Sequence, residues 1–134
     1  MVYFKDLVLG YTFPQYGYVI TEENYENYIR AVADNDNTSP PMEENGKKVV
    51  PSTMAVLFTF GSYRNFIETP PGGLHARQKY EFLKPLYLGD TLNIQAKVTD
   101  KYIKNRRNYV VLETEISRGD EKVVISEMTL IWAR

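Results

Sequence analysis

Side chains able to move a proton or hold a charge gather at a few places in this chain. One is the run Asp34-Asn35-Asp36-Asn37-Thr38-Ser39-Pro40-Pro41-Met42. Its Asp36, with an ordinary carboxyl pKa of about 4, accepts a proton at neutral pH but donates one poorly. Asp and Asn in such a run equally serve as Asx-turn and loop-capping residues, and both readings stand. A second place is His75, the sole imidazole of the sequence. It reads as a hydrogen-bonding residue at a strand end or in a dimer contact, or as a general base displaced onto a strand. The third is Pro51-Ser52-Thr53, just ahead of the apolar run Met54-Ala55-Val56-Leu57-Phe58. There the first N–H groups of a helix favour developing negative charge, while the two hydroxyls can also act as caps. The spacing Asp34-x-Asp36-x-Thr38 is that of a calcium loop at its start, but Ser39 stands where the turn needs Gly and Asn45 where a bidentate Glu belongs. With no Cys, the chain has no disulfide, no thiol nucleophile and no Cys/His zinc cluster, and no metal site is expected.

The elements that must position these residues follow from hydropathy period and turn chemistry. Residues 15 to 20 suit a short strand. Thr21 then caps a helix in which Tyr25, Tyr28, Ile29 and Val32 form one apolar stripe. From Asp34 to Pro51 the chain is polar and reads as one long loop, a length that is often functional. Met54 to Gly61 carries apolar residues on every side of a helical wheel, which predicts a helix buried in the middle of the fold. Beyond Thr69-Pro70-Pro71-Gly72-Gly73 the period changes to two. Residues 74 to 84, Thr91 to Val98, 108 to 117 and Val124 to Trp132 then form four consecutive antiparallel strands, with turns at Pro85–Asp90, Lys104–Asn108 and Arg118–Glu121. Alternation sets His75 opposite Leu74, Ala76, Tyr80 and Phe82 unless a bulge intervenes. The expected class is α+β: a curved antiparallel sheet wrapped around one central helix, the hot-dog fold. A two-layer α+β sandwich with both helices on one sheet face is the rival.

Composition narrows the function classes. The 134 residues suit a single domain, 1–134, with a large aromatic core of 11 Tyr, 6 Phe and 1 Trp. Sixteen Lys and Arg against 17 Asp and Glu leave a net charge of -1, so no field draws the chain to nucleic acid. With no leader-like segment and no apolar run beyond Met54–Phe58, the expectation is a cytoplasmic protein that does not span a membrane.

Four segments resemble the dehydratase domains of the MaoC-like hot-dog superfamily: Phe4-Lys5-Asp6-Leu7-Val8-Leu9-Gly10, Ala31-Val32-Ala33-Asp34-Asn35-Asp36-Asn37, Val50-Pro51-Ser52-Thr53-Met54, and Lys84-Pro85-Leu86-Tyr87-Leu88-Gly89-Asp90-Thr91-Leu92. Together they span nearly the whole chain. Their order is most similar to the fatty-acid-synthase-type dehydratase domain, including the non-catalytic subunit of two-subunit (3R)-hydroxyacyl-carrier-protein dehydratases. Pro-x-x-x-Gly-Asp-Thr-Leu is the most specific piece.

In catalytic members an Asp and a His hold a water for addition to, or elimination from, the β-carbon, and N–H groups at the start of the central helix stabilise the enolate. The resemblance places Asp36 on the catalytic carboxylate, and Asn37, Pro51, Ser52, Thr53 and Met54 against an acyl thioester. It places Pro41 where the family has His. Half a dyad implies a hydro-lyase subunit that shapes the acyl tunnel while a paralogous partner supplies Asp and His. The resemblance implies a dimer, of this chain with itself or with that partner, in which two sheets join and two central helices lie side by side. The alternatives are a self-sufficient hydratase using Asp36 with Asn37, Ser39 or His75, and a non-enzymatic acyl-binding module. A hot-dog thioesterase ranks last, because no acid lies between Met54 and Ile67. No cofactor is implied beyond the acyl thioester itself. Lys101, Lys104, Arg106 and Arg107 would face coenzyme A phosphates or an acidic carrier, or else form a solvated turn that discourages edge pairing.

Overall fold

The computed structural model describes residues 1–32 and 43–134. After a short 3-10 turn at Phe4–Asp6 come strand β1 (Tyr16–Val19) and helix α1 (Glu22–Val32). Thr21 begins α1 as expected, its Oγ1 accepting the Asn24 N–H at 3.1 Å. The apolar stripe is one turn shorter than the spacing suggests: Tyr25 is buried and Tyr28 and Ile29 are half-buried, but Val32 is exposed.

The long polar stretch is not loop throughout. Strands β2 (Glu43–Glu44) and β3 (Lys47–Val50) form a hairpin around Asn45-Gly46, both with positive φ (53° and 76°). Asn-Gly is the residue pair that such a two-residue turn requires, and its twist matches that of the strands. Next come a 3-10 turn at Ser52–Met54, helix α2 (Ala55–Thr59) and helix α3 (Gly61–Arg64).

The expected single helix is therefore a helical segment interrupted at Phe60. The interruption has a local cause. The Tyr16 hydroxyl donates to the Phe58 carbonyl, and Gly61 leaves room for it; a Cβ there would lie 2.6 Å from the Tyr16 hydroxyl oxygen. Nor is the segment buried all round. Met54, Ala55, Phe58, Thr59, Ser62 and Tyr63 are buried, whereas Val56 and Leu57 are 38% and 49% exposed. The sheet of this chain covers one side of the segment only.

Strands β4 (Leu74–Phe82), β5 (Leu86–Tyr87), β6 (Thr91–Lys104), β7 (Arg107–Arg118) and β8 (Glu121–Trp132) complete the chain. The main antiparallel sheet has the order β1-β6-β7-β8-β4, and β2-β3-β5 form a small second sheet. This corrects the four-strand meander: β4 pairs with the last strand, not with β6, because β5 leaves the main sheet to pair with β3. A bulge falls between His75 and Arg77. His75 stands opposite Leu130, and Tyr80 opposite Ser126, both inward-facing, so His75 shares the inner face with Tyr80 and Phe82 rather than opposing them.

The core has two apolar clusters. One surrounds Met54, Phe58, Leu92, Ile94, Ile116 and Val124; the other holds Phe13, Tyr63, Val98, Leu112, Met128 and Trp132. Between them runs a fully buried polar band of Thr59, Ser62, Thr114 and Ser126. Ser62 Oγ donates to the Thr59 carbonyl at 2.5 Å and lies 3.3 Å from Thr114 Oγ1, while Ser126 Oγ accepts from Gln78 Nε2 at 2.7 Å.

Candidate active site at the start of the central helical segment

Strand β3 runs directly into Pro51, so whatever fixes β3 fixes the start of the helical segment. The Pro85–Asp90 turn does this by binding three elements at once. The Leu88 N–H donates to the Lys48 carbonyl of β3 at 2.9 Å, and the Gly89 N–H donates to the Ile20 carbonyl after β1 at 2.8 Å. Gly89 needs its lack of a side chain, since its φ is +92°. Asp90 is buried, and its Oδ2 accepts the Tyr87 N–H at 2.9 Å and an Arg118 Nη1 donor at 2.7 Å. Arg118 also donates to the Pro85 carbonyl at 2.9 Å, with its guanidinium carbon 5.3 Å from the Tyr87 ring centroid. The Gly-Asp motif is thus an anchor tying the β7–β8 hairpin to β3.

At the start itself, the Met54 N–H is used within the turn, donating to the Pro51 carbonyl at 2.9 Å. Pro51 supplies no side-chain cap. The N–H groups of Ser52 and Thr53 belong to the first turn, where intrahelical acceptors are missing and a polarised carbonyl oxygen can take their place. Thr53 does not cap: its hydroxyl pairs with the Tyr28 hydroxyl of α1 at 2.5 Å, fastening α1 beside the turn. Met54, expected against substrate, has its side chain wholly in the core.

Tyr28 is the phenol at this start; three more flank the middle of the segment, at Phe58 and Thr59. Tyr18 packs on Phe58 with ring centroids 4.7 Å apart. Burial pushes its phenol up from the ordinary value, as it does that of Tyr80, where a hydrogen bond with Thr59 partly offsets the rise. Tyr16 is pushed up to about 12, first by burial and then by the neighbouring Tyr18. At neutral pH these groups are uncharged hydrogen-bond donors. In the sequence Tyr25 and Tyr28 read as core stripe, and Tyr16, Tyr18 and Arg118 carry no site role. The signal for them was weak: an excess of Tyr over Phe next to a helix start.

Asp36, Asn37 and Pro41 lie outside the described residues, as do Asp34 and Thr38 of the calcium-like spacing. Among the described residues no group of three His, Cys, Asp or Glu could hold a metal ion, and no helix is long and apolar enough to cross a membrane. His75 is not at the helix start. Its ring meets Phe60 edge to face at 5.1 Å, seven residues and about 10 Å along the segment from Thr53. Of the basic cluster, Lys101 is used internally: its Nζ donates to the Phe4 and Leu7 carbonyls at 2.7 and 2.8 Å and lies 4.3 Å from the Phe4 ring centroid.

Comparison with known proteins supplies the context for this geometry. The family described as FAS1-like, dehydratase domain region, matches residues 8–127. No curated protein sequence matches. Among solved structures, the MaoC-like dehydratase from Rhodospirillum rubrum is similar with a TM-score of 0.75 at 14% identity, covering 100% of this chain and 99% of that one. The unliganded R-hydratase PhaJ1 from Pseudomonas aeruginosa gives 0.74 at 18% identity, covering 96% of this chain and 84% of that one. The C-terminally truncated HadBC (3R-hydroxyacyl-ACP dehydratase) complex from Mycobacterium tuberculosis gives 0.72 at 19% identity, covering 92% and 96%. At these identities the likenesses establish the hot-dog fold.

Proposed function

This chain belongs to the family described as FAS1-like, dehydratase domain region, and on that premise we propose that it is a subunit of a (3R)-hydroxyacyl-thioester dehydratase or enoyl-thioester hydratase of the MaoC-like hot-dog kind. In this reading it shapes the acyl tunnel and holds the thioester carbonyl at the Ser52 and Thr53 N–H groups, while a paralogous partner supplies the catalytic Asp and His. One observation carries the reading. The only imidazole in the chain, His75, stands on Phe60, about two helical turns from the carbonyl-binding end. A water shared between Asp and His needs both within hydrogen-bond reach, so this chain lacks one of the two groups where the reaction would occur.

The partnership has support in the surface. Val56 and Leu57 on the helical segment are exposed, and so are Leu74 and Phe82 on β4, which is an edge strand of nine residues. Among the described residues nothing covers this apolar helix face, and apolar surface of that kind beside an edge strand is what an obligate interface removes from water. The similar HadBC protein is itself a complex.

The test is co-expression with a complete dehydratase-type paralogue, followed by native mass measurement and assay of short-chain enoyl-coenzyme A hydration by each chain and by the pair. The expected result is a stable pair with activity above either chain alone, and Leu57→Asp weakening the association. Absence of both association and gain in activity refutes the proposal. Hydration by this chain alone, abolished by Asp36→Ala, would replace it with the self-sufficient reading.

A further inference from the structure

At the far end of the helical segment, away from Ser52 and Thr53, a cavity of about 210 Å³ opens between α3, the start of β4 and the end of β8. Two basic side chains line it, Arg64 and His75, and both rest on the same ring. The Arg64 guanidinium carbon lies 5.2 Å from the Phe60 centroid and 5.8 Å from that of Tyr63, and the His75 ring meets Phe60 edge to face. Arg64 Nε donates to the Tyr63 hydroxyl at 3.2 Å, which turns the guanidinium and fixes its plane. Among the described residues no carboxylate pairs with it.

The backbone keeps the cavity open. Gly72 has φ +97°, and a Cβ on Gly73 would lie 3.0 Å from the Ile131 carbonyl oxygen, so Gly72-Gly73 lies close against β8 with no side chains to fill the space. The β4 bulge just beyond turns His75 onto the inner face, toward Phe60. Without that extra residue, the alternation would carry it to the outside of the sheet.

We infer that this cavity is a small-oxyanion site, in which the Arg64 guanidinium and the His75 imidazole hold a phosphate or carboxylate group. A guanidinium with an acidic partner would already be neutralised; this one is pre-oriented by stacking and by Tyr63, and offers its Nη donors in the fork that matches an oxyanion. A cavity of about 210 Å³ has room for inorganic phosphate or a short carboxylate. This inference uses no residue of the helix start; Leu74 at the cavity rim also belongs to the β4 edge proposed above for the partner, so the probes are applied to this chain by itself.

The experiment is an amide and histidine NMR titration of the full chain with inorganic phosphate, acetate and adenosine bisphosphate as separate probes. Saturable shifts confined to Gly72, Gly73, Leu74 and His75 are expected. Arg64→Gln should weaken binding about ten-fold or more, with Arg64→Lys retaining part of it, and His75→Gln should also weaken it. Arg64 and His75 are exposed, so these variants should fold. Phosphate binding without acetate binding assigns a phosphate site, acetate binding alone a carboxylate site, and tighter binding of the bisphosphate a nucleotide-borne phosphate. No saturable shift at these residues with any probe, or an Arg64→Gln chain that titrates like the native one, would overturn the inference.

Discussion

Replacing Arg118 by Met should destabilise the protein by about 2 kcal/mol. The Met keeps an apolar stem near Tyr87 and removes the guanidinium. Asp90 is then left with the Tyr87 N–H alone, and the Pro85 carbonyl loses its side-chain donor. Breaking a fully buried ion pair costs about 3–5 kcal/mol, and an exposed pair is worth about 0.2–1 kcal/mol. With side-chain exposures of 25% for Arg118 and 5% for Asp90, this pair falls between those limits. Asp90→Asn should cost less, because an amide oxygen can still accept from Tyr87.

Urea unfolding at fixed protein concentration measures it. At a slope of roughly 2 kcal/mol per molar, the midpoint should fall by about 1 M with the slope unchanged. Hydrogen exchange adds a local readout, since the Leu88 and Gly89 amides that tie the turn to Lys48 and Ile20 should lose protection first. A midpoint shift below about 0.2 M, or Arg118→Met and Asp90→Asn effects that add within about 0.3 kcal/mol, would refute the claim that this pair anchors the turn.

Gly61→Ala should cost about 1–3 kcal/mol, because its Cβ would press on the Tyr16 hydroxyl at 2.6 Å and on Asn65 Nδ2 at 2.9 Å; adding Tyr16→Phe should recover part of the loss in thermal unfolding. Alkaline stability should fall as well. The Tyr16 pKa rises to about 12 in the folded chain against about 10 unfolded, so its contribution is intact below about pH 10 and is lost as pH climbs toward 12. Tyr18 and Tyr80 are shifted the same way. With Tyr16 only half-buried, the loss attributable to it should be about 1 kcal/mol, and Tyr16→Phe should flatten that limb of a pH–stability curve.

The inward alternation of Leu92, Ile94, Ala96 and Val98 was legible because each strand residue is decided by its own two-residue period, and all four are fully buried. Strand order was not legible. A Pro-x-x-x-Gly-Asp turn between two strands looks like a hairpin, and only the pairing of Leu86 and Tyr87 with β3 sends β4 to the far edge. The Asn45-Gly46 hairpin carried a signal that its polar surroundings concealed. The all-apolar wheel of Met54 to Gly61 implied complete burial, yet apolarity says only that a face must be covered, not that the same chain covers it. Of the candidate site, Ser52 and Thr53 were legible as a helix start. Tyr28 and Arg118 were not, since a partner 25 residues away and another 28 residues away leave no local pattern.

The buried polar band bears on how the helix start is kept in place. Apolar contact has no direction, so a greasy segment on a greasy sheet could slide along its axis or turn about it at little cost. Hydrogen bonds do have direction. Ser62 faces Thr114 and Thr59 faces Tyr80, so a shift of one turn would break both contacts inside the core. Each buried hydroxyl left without a partner would cost about 1–3 kcal/mol. The band therefore sets the axial position of the segment from its middle, the Tyr16 hydroxyl on the Phe58 carbonyl sets it from one flank, and Tyr28 on Thr53 holds its first turn. With the segment fixed at three points, the N–H groups of Ser52 and Thr53 are held in place, which is what the oxyanion role proposed for them requires.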